Sequence, residues 1–211
     1  MNVWCISIRI CVENIDVMQR KCKTGGNGMS DEMIIRHGSP TLAGLKTGNL
    51  FNCSYSGKKE LLDTLRSLNR RLVPKGVRII PLRLSEEKVL LYIYRPGKLK
   101  QDFAVKETSD LLEEYGYSVD NMGKCIVQLS RRLNEAEEFP HEIGLFLGYP
   151  SEDVKGFIEN RAEGYKYIGC WKVYGNEQDA KKQFERYRKC TNEYCTQWAN
   201  GKSIEQLTVA V

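Results

Sequence analysis

Residues 77–94 read VRIIPLRLSEEKVLLYIY, and this stretch decides the fold class. Two runs rich in β-branched and aromatic residues, 77–84 and 89–94, flank a short polar connection, which is typical of a β-hairpin. Further strand candidates are 50–55, 143–147 and 167–174, and apolar residues at helical spacing predict helices over 61–72, 105–115, 121–135 and 177–195. The pattern predicts an α/β protein (mixed α+β) with a central mixed sheet of about five strands and helices packed on it.

Local signals place the turns and helix ends. The short apolar run 33–35 is followed by a Gly- and Pro-rich stretch from His37 to Gly48, which predicts turns. Pro96-Gly97 is expected to close the hairpin. Ser151, with two acidic residues after it, is expected to cap a helix.

The net charge of +5 hides two opposed blocks. Residues 58–100 hold 12 basic and 4 acidic side chains, whereas residues 101–163 hold 6 basic and 14 acidic ones. The basic block has few interleaved aromatic residues, so we do not expect nucleic acid as a partner. No apolar run is long enough to span a bilayer, so no membrane association is expected either. Three interpretations of these blocks remain open. The two blocks face each other, each block is simply solvated, or the blocks guide docking onto a small anion or a protein partner.

The eight cysteines include no C-x2-C pair, so no structural zinc site is expected. They are scattered through apolar patterns and no signal sequence is recognisable, which favours reduced thiols in the cytoplasm.

The first 28 residues show no helical or strand periodicity. The adjacent codons of Gly25 and Gly26 can read GGAGGN, a bacterial ribosome-binding sequence, two codons before an ATG at Met29. We therefore expect residues 1–28 to be a mistranslated leader or a disordered extension, and residues 29–211 to form a single globular domain.

Three segments carry a family resemblance: the stretch from Phe139 to Asn160, the stretch from Trp171 to Gly175, and the stretch from Ser39 to Lys46. Together they resemble the bacterial family called domain of unknown function 3793, from about Met29 to the C-terminus. The resemblance implies a cytosolic protein of anaerobic Firmicutes, mainly clostridia, with no established activity. Relatives often carry Cys where this chain has Gly38, which argues against an essential His-Cys pair here.

The stretch from Gly38 to Thr47 differs from a phosphate-binding loop, because Leu45 separates Gly44 from Lys46 and Pro40 removes a backbone donor. A looser anion site remains open, with Ser39, Thr41 and Lys46 as ligand-binding candidates. The alternative is a turn shaped by Gly and Pro.

His37 and His141 are the only histidines, so they are the candidates for acid–base catalysis, with Glu142 beside His141. Tyr149 and Lys172 complete the ligand-binding candidates. The alternative for each histidine is a hydrogen bond that stabilises a turn. No ligand spacing supports a metal site, and the sequence identifies no cofactor.

Two functions remain open. In the first, the domain binds a small anionic ligand and has an enzymatic role, with both histidines and Lys46 near one pocket. In the second, it is a non-catalytic interaction or accessory protein that docks through its opposed charge blocks. Convergence of His37, Lys46 and His141 on one concave surface favours the first, and wide separation favours the second.

Overall fold

The structure, a computed structural model, describes residues 29–136 and 138–210. The expected leader, residues 1–28, lies outside the described residues. The helices are α1 (Asp31–Leu42), α2 (Lys58–Leu72), α3 (Pro96–Phe103), α4 (Lys106–Glu114), α5 (Met122–Glu135), α6 (Ile143–Phe146), α7 (Ser151–Glu159), α8 (Glu177–Ala199) and α9 (Ile204–Leu207). The strands are β1 (Gly48–Ser54), β2 (Arg78–Leu84), β3 (Lys88–Tyr94), β4 (Tyr167–Ile168) and β5 (Lys172–Val173).

The predicted α/β class and the hairpin are confirmed, but the expected central sheet of about five strands is wrong. The main sheet has three antiparallel strands in the order β1-β3-β2, and β4 and β5 form a separate two-stranded hairpin. The run 143–147 forms α6 because a short apolar segment between glycines fits a buried helical turn as well as a strand. The run 167–174 is interrupted at Gly169, where a Cβ atom would lie 2.2 Å from Phe184 Cδ2.

The main sheet is buried on both faces. Alternate residues of its strands point to opposite sides, and β3, the central strand, therefore reads as a continuous apolar run. One face, here the first core, is covered by α3–α7 and the first half of α8; its strand residues are Leu50, Leu82, Leu90, Tyr92 and Tyr94. The other face, the second core, is covered by α1, α2, α9 and the end of α8; its strand residues are Phe51, Cys53, Ile79, Val89, Leu91 and Ile93.

The first helix occupies part of the stretch where turns were expected, so that expectation is wrong for residues 37–42. Ser30 caps α1, and Pro40 lies inside it. The carbonyl of Pro40 accepts the N–H groups of Leu45 (2.8 Å) and Lys46 (3.0 Å). Close packing against the sheet outweighs the unfavourable local sequence: a Cβ atom on Gly38 would meet Ile93 Cδ1 at 3.1 Å.

Two helix starts also differ from the expectation. Pro96 begins α3 instead of ending the hairpin, because proline suits the first turn of a helix. Ser151 is the first residue of α7, and the capping position is Pro150.

Arg95 ties distant segments together at the end of β3. Its guanidinium is 2 % exposed and donates to the carbonyls of Thr41 (2.6 Å), Leu42 (2.6 Å), Lys75 (3.2 Å) and Val209 (2.7 Å). Two of these carbonyls end α1, where a cation is favoured by the helix dipole. Burial lowers the pKa of Arg95.

None of the helices in residues 29–136 and 138–210 has the length and apolar character needed to cross a membrane.

Candidate functional site

A small pocket opens between α6, α7 and the β4–β5 hairpin. Its walls are mainly apolar and aromatic: Phe139, His141, Ile143, Gly144, Tyr149, Val154, Phe157 and Trp171, with Asp153 and Lys172 as charged members. The enclosed cavity measures about 50 Å³, and the empty space including its open mouth is about 510 Å³. One ordered water needs about 10–15 Å³, so the enclosed part admits a small chemical group.

His141 precedes α6 and is half-buried in this pocket. Its ring contacts Phe157 at 5.0 Å and Phe139 at 5.7 Å between centroids. Burial lowers the pKa of His141, partly offset by the negative charges of Glu142 and Glu138. The imidazole is therefore neutral at pH 7, and neither nitrogen forms a hydrogen bond with any residue of the described chain.

Lys172 supplies the positive charge. Its Nζ donates to the Ala162 carbonyl at 2.6 Å and lies 4.5 Å from the ring centroid of Tyr165 and 5.9 Å from that of Phe157. An ammonium group has three donors, so the bond to Ala162 leaves capacity for a ligand. Ala162 and its neighbour Arg161 have φ values of 66° and 50°, in the left-handed region that disfavours non-glycine residues.

Asp153, on the first turn of α7, holds the pocket wall in place. It is 3 % exposed; its Oδ2 accepts Trp171 Nε1–H at 2.7 Å, and its Oδ1 accepts the N–H groups of Tyr174 (2.7 Å) and Gly175 (2.8 Å). Trp171 in turn stacks on Tyr149, with ring centroids 4.5 Å apart. Three N–H donors stabilise the buried carboxylate of Asp153, which makes it a structural anchor.

Glu142 points away from His141. It is 1 % exposed; its Oε1 accepts Tyr117 O–H at 2.8 Å and lies 2.8 Å from Arg132 Nε in an ion pair. Burial and the adjacent Glu142 charge raise the pKa of Tyr117, which stays a hydrogen-bond donor. The predicted His141–Glu142 pair is thus adjacent in sequence without a hydrogen bond between the two side chains.

The other sequence candidates lie elsewhere. His37 stacks on Phe51, which belongs to the second core, so the two histidines serve opposite faces of the sheet. Ser39 and Thr41 are fully buried in α1 and donate to Ile35 O and Asn49 Oδ1, respectively.

Lys46 lies behind the pocket wall. It is 4 % exposed, and its Nζ is 5.0 Å from the ring centroid of Tyr149 and 6.0 Å from that of Tyr187. Of the candidates, the structure therefore brings His141, Tyr149 and Lys172 into one pocket, with Lys46 stacked against Tyr149 outside the lining. The expected convergence of His37, Lys46 and His141 on one concave surface is not found, because His37 lies on the other face of the sheet.

Sequence reasoning missed Asp153, Val154, Phe157, Phe139 and Ile143 as lining residues. One signal was present: positions 153, 154 and 157 recur at the spacing of a single helix face. Trp171 both packs in the first core and lines the pocket, at 4 % exposure.

Metal and thiol chemistry find little support. Across residues 29–136 and 138–210, no three His, Cys, Asp or Glu side chains converge on a point that could hold a metal ion. The five cysteines of this region are free thiols. Burial raises the pKa of Cys190 to about 11 and raises those of Cys53 and Cys125, so these three are protonated at neutral pH.

The fold and the pocket define a class: a three-layer α/β protein, with helices on both faces of a three-stranded antiparallel sheet and a small aromatic pocket on one side. The chain belongs to the family described as Protein of unknown function (DUF3793), whose family model matches residues 34–208. This confirms the resemblance seen in the sequence. No curated protein and no solved structure matches the chain.

Proposed function

We propose that this protein binds a small anionic ligand in the pocket formed by α6, α7 and the β4–β5 hairpin, and that it does so in the cytoplasm. The observation that carries the proposal is the joint presence in this pocket of His141 and Lys172, each with hydrogen-bonding capacity that the described residues leave unused. The Asp153 carboxylate accepts three N–H groups, and Lys172 donates to the Ala162 carbonyl instead of to Asp153.

The geometry favours binding over acid–base catalysis. A general base needs an orienting partner or a matched pKa. The nearest carboxylate in sequence, Glu142, pairs instead with Arg132 and Tyr117. A neutral imidazole retains one donor and one acceptor, which suits His141 to orienting a ligand.

Binding is tested by calorimetric titration of the full chain with acetate, inorganic phosphate and benzoate. We expect at least one anion to bind and its binding to be lost in Lys172→Met. Lys166→Met is the matched control, because Lys166 Nζ also donates to a backbone carbonyl, that of Gly175 at 2.9 Å, and is not part of the pocket lining. Binding that survives in Lys172→Met, or no binding by any of the three anions, would contradict the proposal.

A second function, docking through the opposed charge blocks, is supported by a separate observation. In the part of the chain that the structure describes, no ion pair joins the basic block 58–100 to the acidic block 101–163. The two blocks therefore do not neutralise each other through direct ion pairs. Association between copies is one form of this docking, and sedimentation at about 10 mM and about 150 mM salt tests it, since the Debye length falls from about 30 Å to about 8 Å.

Self-association that appears only at low salt and is removed by Lys58→Glu with Lys59→Glu would support docking. A single monomeric species at both salt concentrations would count against docking between copies of the chain.

A further inference from the structure

We propose that the ligand is a planar aromatic acid, with its ring against the aromatic walls of the pocket and its acid group at Lys172. This inference rests on the proposed function and narrows it to one chemical class.

The walls favour a flat ring. The lining contains two groups of contacting rings: Tyr149 stacked on Trp171, and His141 in contact with Phe139 and Phe157. Trp171 is further fixed by its bond to Asp153 and by edge-on contact with Phe184. Rigid aromatic walls attract another ring through stacked or edge-to-face contacts.

The volume of the pocket admits one edge of a flat ring. A closed cavity of about 150 Å³ holds benzene, whereas the enclosed part of this pocket measures about 50 Å³. A ring therefore enters by one edge, with the rest of the molecule in the open mouth.

The charge lies where the exposed end of such a ligand would be. Lys172 Nζ is 4.5 Å from the ring of Tyr165, a residue that is 39 % exposed, so the ammonium lies toward solvent. A carboxylate in the mouth reaches this ammonium while the ring contacts the apolar walls.

Other ligand classes fit less well. An organic cation would meet the ammonium that already lies over Phe157 and Tyr165. A phosphate ion prefers several converging donors, and the lining offers two polar donors, His141 and Lys172, among mainly apolar side chains.

The test is calorimetric titration of the full chain with four probes: benzoate, cyclohexanecarboxylate, acetate and benzyl alcohol. We expect benzoate to bind at least tenfold more tightly than acetate, equivalent to about 1.4 kcal/mol. Cyclohexanecarboxylate, which has the same charge and a thicker ring, and benzyl alcohol, which has the ring without the charge, are each expected to bind at least tenfold more weakly than benzoate.

Phe157→Leu provides a variant that keeps Lys172. It is expected to reduce the preference for benzoate over acetate by at least threefold. Lys166→Met is expected to leave all four affinities unchanged. Circular dichroism verifies that each variant is folded.

The outcomes separate the two proposals. Acetate binding as tightly as benzoate, with dependence on Lys172, would overturn the aromatic class and leave the anionic ligand standing. Benzyl alcohol binding as tightly as benzoate would overturn the requirement for an acid. No heat from any carboxylate would overturn the aromatic acid, and no heat from inorganic phosphate in addition would overturn the anionic ligand as well.

Discussion

Replacing Asp153 with alanine should cost about 4 kcal/mol of the free energy of unfolding. The side chain is 3 % exposed and accepts three hydrogen bonds of 2.7–2.8 Å, from Trp171 Nε1 and from the backbone of Tyr174 and Gly175. Hydrogen bonds to a charged group contribute about 1.5–3 kcal/mol each. They are not additive, and removing one partner of a buried ionic group typically costs about 3–5 kcal/mol.

The conservative variant Asp153→Asn separates the contribution of the indole bond from that of the two backbone bonds. Its amide oxygen can still accept the two backbone N–H groups, but its NH₂ group then faces the indole N–H of Trp171, so we expect a loss of about 2 kcal/mol. Urea unfolding followed by far-ultraviolet circular dichroism measures both values. Glu152→Gln is the control: it lies one residue earlier, is exposed, and accepts a single 3.3 Å bond from Asn176 N, so it should change stability by less than about 0.5 kcal/mol.

The reasoning is refuted if Asp153→Ala loses less than about 1 kcal/mol of the free energy of unfolding, because three donors left without an acceptor should destabilise the protein by more than that. A double-mutant cycle with Trp171→Phe isolates the indole bond. Its coupling energy should be about 1.5–3 kcal/mol, and a coupling near zero would mean that the carboxylate does not hold the indole.

Three further predictions concern stability. Because the pKa of His141 is lowered in the folded state, the unfolded chain binds more protons as pH falls through about 6.5, so the native protein should lose stability between about pH 7.5 and 5.5. His141→Phe should lose less over the same range in urea unfolding, and parallel curves for the two proteins would contradict the lowered pKa. Arg95→Met removes the side-chain donor of four backbone carbonyls, of which those of Thr41 and Leu42 are buried, and should cost about 3–5 kcal/mol, with Arg95→Lys nearly as damaging because an ammonium cannot match the planar fork. Thermal denaturation of both variants measures this, and a change of less than about 1 kcal/mol would show that water replaces the guanidinium. Ala162→Gly removes a methyl group from a residue with φ of 66° and should raise stability by about 1 kcal/mol, or the melting temperature by about 2–4 °C; a lower melting temperature would mean that the turn is unstrained.

The sequence was sufficient to predict the elements whose pattern is local. The hairpin β2–β3, the helix α2 with its leucines at helical spacing, and the long helix α8 all appear where the apolar period places them. Local patterns were insufficient where tertiary packing decides the conformation. Residues 37–42 contain glycine, serine and proline, yet they are helical because the sheet and α8 cover them on the buried side.

The candidate site was predicted in part for the same reason. His141, Tyr149 and Lys172 were identified from sequence, and the structure brings them to one pocket. Chain neighbours are poor guides to partners in a turn: Glu142 follows His141 directly, but the bend before α6 directs its carboxylate to Arg132. His37 follows the apolar run 33–35, as expected. It stacks on Phe51, whose side chain belongs to the second core, so His37 lies on the opposite face of the sheet from His141.

The network around Arg95 has a consequence for the order in which the chain folds during synthesis. Val209 N–H donates to Leu42 O at 3.0 Å, Val209 O accepts Arg95, and α1 packs along α8. The early helix therefore gains its closing contacts only when residues near 209 have left the ribosome. Long-range closure of this kind slows folding and leaves apolar surface exposed in the growing chain. The part of the second core that α9 and the end of α8 cover thus stays open through most of translation, and we expect the nascent protein to be most prone to aggregate in this interval.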